Sequence, residues 1–341
     1  MKKKEVQISV VLSVILLAAL FFFPLLSVVP FQRETPPAEK PSAPFESGDL
    51  DKKTQLRVLD GDTVKEMDLG TYLVGVVEAE MPASFEEEAL KAQAVAARTY
   101  TMYKLLHGGA HGDTADICTD STCCQAYISR EQARKNWGRD ADTYEAKIQK
   151  AIRDTDGQIA QYDGDPILAV FHASSAGRTR AAGQVWQNDV PYLVPVDSPE
   201  QGDQIPNYYS RNEFSTAEFR EKVLAACPEA DLSGPPSEWL KDPETDQAGS
   251  VEHLSVGGVS MRGGKLRSIL NLRSACFTWE VQGDTLVFFV TGHGHGVGMS
   301  QYGANQMALD GADYREIVTH YYKGVEVGPY TPPAVAPADG S

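Results

Sequence analysis

Glu80 is the residue whose surroundings give the clearest reason to hold a proton. In the stretch TYLVGVVEAEMPASFEEEALKAQAVAARTY, Tyr72, Leu73, Val76 and Val77 recur at helical spacing, which predicts a short amphipathic helix ahead of Glu80. Pro82 limits that helix, because the residue before a proline is pushed out of the α region. Glu80 then falls in or just after the last turn, where the negative end of the helix dipole disfavours a charged carboxylate. A raised carboxyl pKa is what a general acid needs near neutral pH. Glu86, Glu87 and Glu88 suit the first turn of the next helix and read as a solvated capping face.

Thiols and imidazoles form a second group. His111 and Cys118, with Cys124 or Cys123, offer Zn2+ three ligands from one loop, leaving a fourth position for water or another side chain. The His-x6-Cys-x5-Cys spacing is not that of a standard zinc knuckle, so a disulfide from Cys118 to one of the pair, or surface thiols, remain alternatives. Five cysteines, an odd count, argue against a disulfide framework outside the cytoplasm. Cys227 and Cys276 read as small buried hydrophobes.

Hydroxyls and histidines make a third. FHASSAGRT places His172, Ser174, Ser175 and Thr179 where a strand exits into a loop, which suits sugar binding, nucleophilic catalysis or a loop satisfying its own backbone. No Gly-x-Ser-x-Gly elbow is present to favour a serine hydrolase. In TGHGHGVGMSQYGANQMALDG, His293 and His295 alternate with glycines, and Ser300 can cap a helix that Gly311 ends. The two histidines could bind metal, bind sugar or act as bases, but no third ligand lies near in sequence. With Gln301 and Tyr302 they are candidates for holding sugars, and Trp186 and Tyr192 for walling a groove.

These residues need positioning elements. Ser84 and Glu87 form a capping-box pattern at the start of a second helix, with Phe85, Ala89, Ala92, Ala96 and Tyr100 on one stripe. LRVLDGDTVKEMDL and FTWEVQGDTLVFFV read as hairpins with Gly-Asp turns. Helices are expected over Tyr144–Thr155, Ser215–Ala226 and Tyr314–Tyr322, and the polar stretch before Glu252 reads as a surface excursion. QIAQYDGDPILAVFHASSAGRT reads as two strands across an Asp-Gly turn. The fold class expected is α+β, with a helical early segment and later β-hairpins around a substrate groove, after an N-terminal transmembrane helix.

The chain has 341 residues, enough for a large core, with 31 Lys and Arg against 47 Asp and Glu. A net charge of −16 makes a nucleic-acid backbone an unsuitable partner. Residues 1–29 pair three lysines with an apolar run long enough to cross a bilayer, roughly 20 residues, and orient the remainder outward. A cleaved signal peptide would carry a shorter apolar region and a small-x-small site, which VVPFQRE does not supply. Residues 30–54 read as a Pro-rich linker, 55–330 as the extracytoplasmic domain and 331–341 as a disordered tail.

VVEAEMPASFEEEALKAQAVAARTY, CTDSTCCQAY, LNLRSACF, FHASSAGRT and GHGHGVGMSQYGA together resemble the stage II sporulation protein D family, related to the amidase enhancers, from about Thr71 to Val327. The resemblance implies a lytic transglycosylase that cleaves peptidoglycan glycan strands from the engulfing mother-cell membrane. It implies work alongside a sporulation amidase/endopeptidase, protein P, and a membrane protein M. It carries the catalytic acid onto Glu80 and a supporting role onto Arg98. Zinc held by a His and two Cys in some members would map to His111, Cys118 and Cys124, with Cys123 a departure from that pattern. Such an enzyme needs one carboxyl group where ordinary glycosidases place two. Glu78, the other candidate carboxylate, points elsewhere on the helix.

Overall fold

Antiparallel strands Gln55–Asp60 and Thr63–Asp68 form the first hairpin, joined by Gly61 at φ 59°, a conformation glycine adopts without a Cβ penalty. In this computed structural model residues 45–186 and 188–330 are described; the expected anchor, most of the expected linker and the tail lie outside them. Among the described residues no helix is long and apolar enough to cross a membrane. The folded unit begins at Phe45, not at Gln55. Phe45 packs on the core, and Asp51, assigned to the linker from composition, is buried.

The first helix, Leu69–Glu80, is capped by the Asp68 side chain on Thr71 N–H and buries nearly every face, so it is a core helix rather than an amphipathic one. It ends at Glu80, with Met81 extended ahead of Pro82. The long helix Glu87–Leu106 follows, its alanine face letting other elements approach closely. Around it pack the helices Ala141–Asp154, Gln301–Leu309 and Tyr314–Tyr321 and the strand Gln158–Tyr162. The Ser84 capping box does not form. The cap position is Glu86, and its N–H is satisfied by Asn305 Oδ1 at 2.8 Å. Phe85 turns inward against Tyr302 instead of leading a helix, with ring centroids 4.9 Å apart.

A second core stands apart. The strand Tyr209–Ser215 joins the hairpin Phe277–Gln282/Thr285–Thr291, whose turn glycine, Gly283, has φ 60°. Helices Thr216–Ala226 and Gly263–Leu270 and the sheet Leu240–Thr245, Val251–Val256, Val259–Arg262 complete it. The expected surface excursion belongs to this core: Cys227, Leu232, Trp239 and Leu240 are buried. The architecture is α+β as expected, and the last described strand, Glu326–Pro329, returns to pair antiparallel with Gln158–Tyr162.

Candidate active site

Glu80 ends the first helix with its carboxylate turned toward the segment after the cysteine loop. Its Oε1 accepts the Ala126 backbone N–H at 2.7 Å, and the Gln301 side chain also bonds to it. Burial raises its pKa above the usual carboxyl value, and these two hydrogen bonds hold it back. The cause is therefore desolvation more than the helix end that the sequence suggested. Gln301 also reaches Gln93 on the long helix at 3.4 Å, so one amide spans both helices flanking the Met81–Pro82 break. Glu78 is buried away from this point, with neither oxygen partnered among the described residues. Burial and the nearby Glu145 push it up to about 8.

Arg98 lies elsewhere. Its guanidinium pairs with Asp51 through two 2.7 Å bonds and also donates to the carbonyls of Ile152 and Gln158. Residue and partner are each 1% exposed. A fork with every arm inside the core ties these elements together, and its bonds run to Asp51 and its surroundings rather than to Glu80.

The His/Ser loops converge. Phe171–His172 pairs in parallel with Met299–Ser300, and Ser174 and His293 exchange backbone bonds of 3.0 and 2.8 Å. This needs bare backbone: a Cβ at Gly298 would collide with Val170 O, and one at Gly294 with the His172 side chain. Glu200, which the sequence did not single out, accepts Ser175 N–H (2.5 Å), Ser175 Oγ (2.7 Å) and Ser300 Oγ (2.8 Å). Ser300 in turn caps the helix that carries Gln301.

Most hydroxyls expected to hold sugar are thus occupied within the protein. Ser175 and Ser300 serve Glu200, Thr179 bonds the Val196 backbone, and all three are buried, as is Ser174. His172 is buried, bonds Val297 O through Nδ1 and is pushed by burial down to about 4. His295 accepts Val297 N–H and is pushed to about 3, its ring packed near those of His172 and Trp186. Both are therefore neutral spacers at physiological pH. Gln301 remains at Glu80, and its neighbour Tyr302 donates its N–H to Ala173 O, next to the Ser174–His293 bridge. The Tyr192 hydroxyl accepts the Leu168 backbone N–H at 2.9 Å and so braces the wall from inside.

The cysteine loop brings four donors together, not three. His111, Cys118, Cys123 and Cys124 present ligand atoms within 4.8 Å of one another. Cys123 Sγ lies 3.7 Å from His111 Nε2 and 3.7 Å from Cys124 Sγ. Zinc–sulfur and zinc–nitrogen bonds of about 2.3 and 2.0 Å in a tetrahedron require edges of roughly 3.5 to 3.8 Å, so the donor set fits Zn2+. All five cysteines are free thiols. Cys124 is two residues from Ala126, so this loop ends at the N–H that touches Glu80.

A family profile described as stage II sporulation protein matches residues 60–162. The stage II sporulation protein D of Bacillus subtilis is 34% identical over 343 residues, covering 96% of each chain. That of Bacillus amyloliquefaciens is 38% identical over 266 residues, covering 78% of this chain and 75% of its own. A Bacillus subtilis protein named amidase enhancer is 28% identical over 315 residues, covering 76% of this chain and 40% of its own.

Proposed function

The chain belongs to the stage II sporulation protein D family, and on that premise we propose that it is a lytic transglycosylase acting on peptidoglycan glycan strands during engulfment. The observation that carries the reading is Glu80: one half-buried carboxyl with a raised pKa, oriented by Ala126 N–H and Gln301. Neutral Glu80 protonates the oxygen leaving the β-1,4 bond between N-acetylmuramic acid and N-acetylglucosamine. As carboxylate it then accepts the proton of the muramoyl 6-hydroxyl, which closes a 1,6-anhydro ring without consuming water. Because the pKa is raised, the acid form persists above the usual carboxyl range and is lost as pH rises through the raised value.

Glu80→Gln is expected to keep the fold and glycan binding while lowering anhydromuropeptide formation by about 10^2- to 10^4-fold, the usual weight of general acid–base catalysis. Mass spectrometry of digested glycan reads this, and undiminished anhydro product would sink the assignment. The relative named amidase enhancer supports a second reading, a non-catalytic activator of a cell-wall amidase. Under that reading the purified protein stimulates the amidase and never cuts glycan alone, whatever occupies position 80.

In this proposal residues 1–29 anchor the chain in the engulfing mother-cell membrane with the folded unit outside, alongside protein P and membrane protein M. His111, Cys118, Cys123 and Cys124 hold zinc as a structural cross-link. Chelation is expected to lower the melting temperature; a melt unchanged by chelator after metal loading argues against the cross-link.

A further inference from the structure

Glu200 is a buried carboxylate, 9% exposed, on a stretch without regular secondary structure. That stretch is pinned two residues earlier, where Ser198 N–H donates to Gly177 O at 3.0 Å and the Ser198 hydroxyl meets the Tyr321 hydroxyl at 2.7 Å. From this fixed base Oε1 gathers three donors: Ser175 N–H, the Ser175 hydroxyl and the Ser300 hydroxyl. A hydroxyl has one proton, so Ser300, donating it to Glu200, must turn a lone pair toward Gly303 N–H, 3.2 Å away. The carboxylate therefore sets the direction of the helix cap. Its other oxygen makes no bond among the described residues and lies against the helix start, where a Cβ on Gly303 would stand 3.0 Å from it. Negative charge at that end also suits the helix dipole.

The helix held in this way, Gln301–Leu309, has 9 residues, too few to be stable alone, so its first turn points where its ties direct it. Gln301 is its first residue, and the Gln301 amide bonds the Glu80 carboxyl and reaches Gln93 Oε1 at 3.4 Å. The route from Glu200 to the acid thus runs from Glu200 to Ser300, from Ser300 to the first helical turn, and from Gln301 to Glu80. The titratable groups facing Glu200 are the phenols of Tyr208 and Tyr321, whose pKa values burial and the Glu200 charge both raise. Glu80 answers to burial, to Ala126 N–H and to Gln301.

We propose that Glu200 is a positioning residue for the acid: through the Ser300 cap it fixes the Gln301 amide on the Glu80 carboxyl. Its weight for catalysis rests on the glycan-cleaving reading above, to which it adds the group that aims the acid's partner. An amide donor held on the carboxyl favours the charged form, so loosening it favours the neutral one.

The test titrates Glu80 directly, in full-length protein labelled with carboxyl carbon-13 glutamate, its resonance being the one that Glu80→Gln removes. Glu200→Leu is expected to raise the midpoint by on the order of one pH unit, the weight of a hydrogen bond to a charged group. Glu200→Gln, which keeps an acceptor at the Oε1 position, should hold the midpoint near that of the parent. In a Gln301→Leu background, Glu200→Leu should add nothing further. A midpoint unmoved by Glu200→Leu, or moved as far with Gln301 replaced, overturns the proposal. Should Glu200→Leu melt early, Ser300→Ala decides: a raised midpoint supports the tie, an unchanged one refutes it. The alkaline limb of glycan cleavage should rise with the midpoint. A limb that stays put while the midpoint moves, or undiminished anhydro product from Glu80→Gln, counts against Glu80 as the acid and not against the tie.

Discussion

Around Glu80 the core is built from helices with small residues and is threaded by buried polar groups, among them Asp51, Glu78, Gln93, Arg98, Thr99 and Thr101. The core around Phe288 is aromatic: Phe219 stacks on Trp239 with centroids 5.8 Å apart, and Phe277 meets Phe288 at 5.7 Å. Burying charge is costly unless every arm is paired, so the first core trades stability for fixed orientation. Aromatic packing carries no such penalty and holds the hairpin that Arg273 precedes and His293 follows.

Removing a charge from the first core should therefore hurt most. Arg98→Met leaves Asp51 buried and unpaired, and denaturant titration is expected to show a loss of about 3 to 5 kcal/mol. Loss of activity per folded molecule without loss of stability would return Arg98 to the active site.

Glu78 probes the opposite sign. It titrates near 8 in the fold and near 4.5 in the free chain, so the fold keeps a proton that the unfolded chain releases. Stability on this account is full below pH 4.5 and declines as pH rises toward 8. Glu78→Gln should remove the decline and add on the order of 4 kcal/mol at pH 8, seen as a raised melt there and little change at pH 4. An unchanged slope of melting temperature with pH would show that Glu78 is not the group responsible.

The smallest effect belongs to the second core. Phe288→Leu nearly conserves apolar volume and should lower stability by no more than about 1.5 kcal/mol, with glycan cleavage per folded molecule unaltered. A cleavage defect at wild-type stability would mean that this core does more than support the rim.

What was legible in the sequence follows the same division. Both Gly-Asp hairpins were readable because alternation and turn chemistry are local, and Glu80's place at a helix end followed from Pro82. Arg98's tie was not, since nothing in its helix announces that Asp51 meets it 47 residues away. The Ser84 cap did not form because the helix begins two residues later, at a cap whose own N–H is held by Asn305, 219 residues from Glu86. Glu200 lies in DSPEQ, which has no periodicity to mark a buried carboxylate. Cys227, Leu232 and Trp239 are spaced singly among polar residues, so their shared core left no pattern.

The Asn305 bond to Glu86 N–H has companions of similar span: Gln301 to Gln93 across 208 residues and Tyr314 N–H to Glu88 across 226. The acid is thus synthesised early and completed late. While a chain is still emerging from the ribosome, Glu80 has its helix but lacks Gln301, and a product truncated ahead of Ser300 never acquires it. Closing loops of that length is slow relative to local helix formation, so the order of synthesis itself delays the moment at which the carboxyl is oriented.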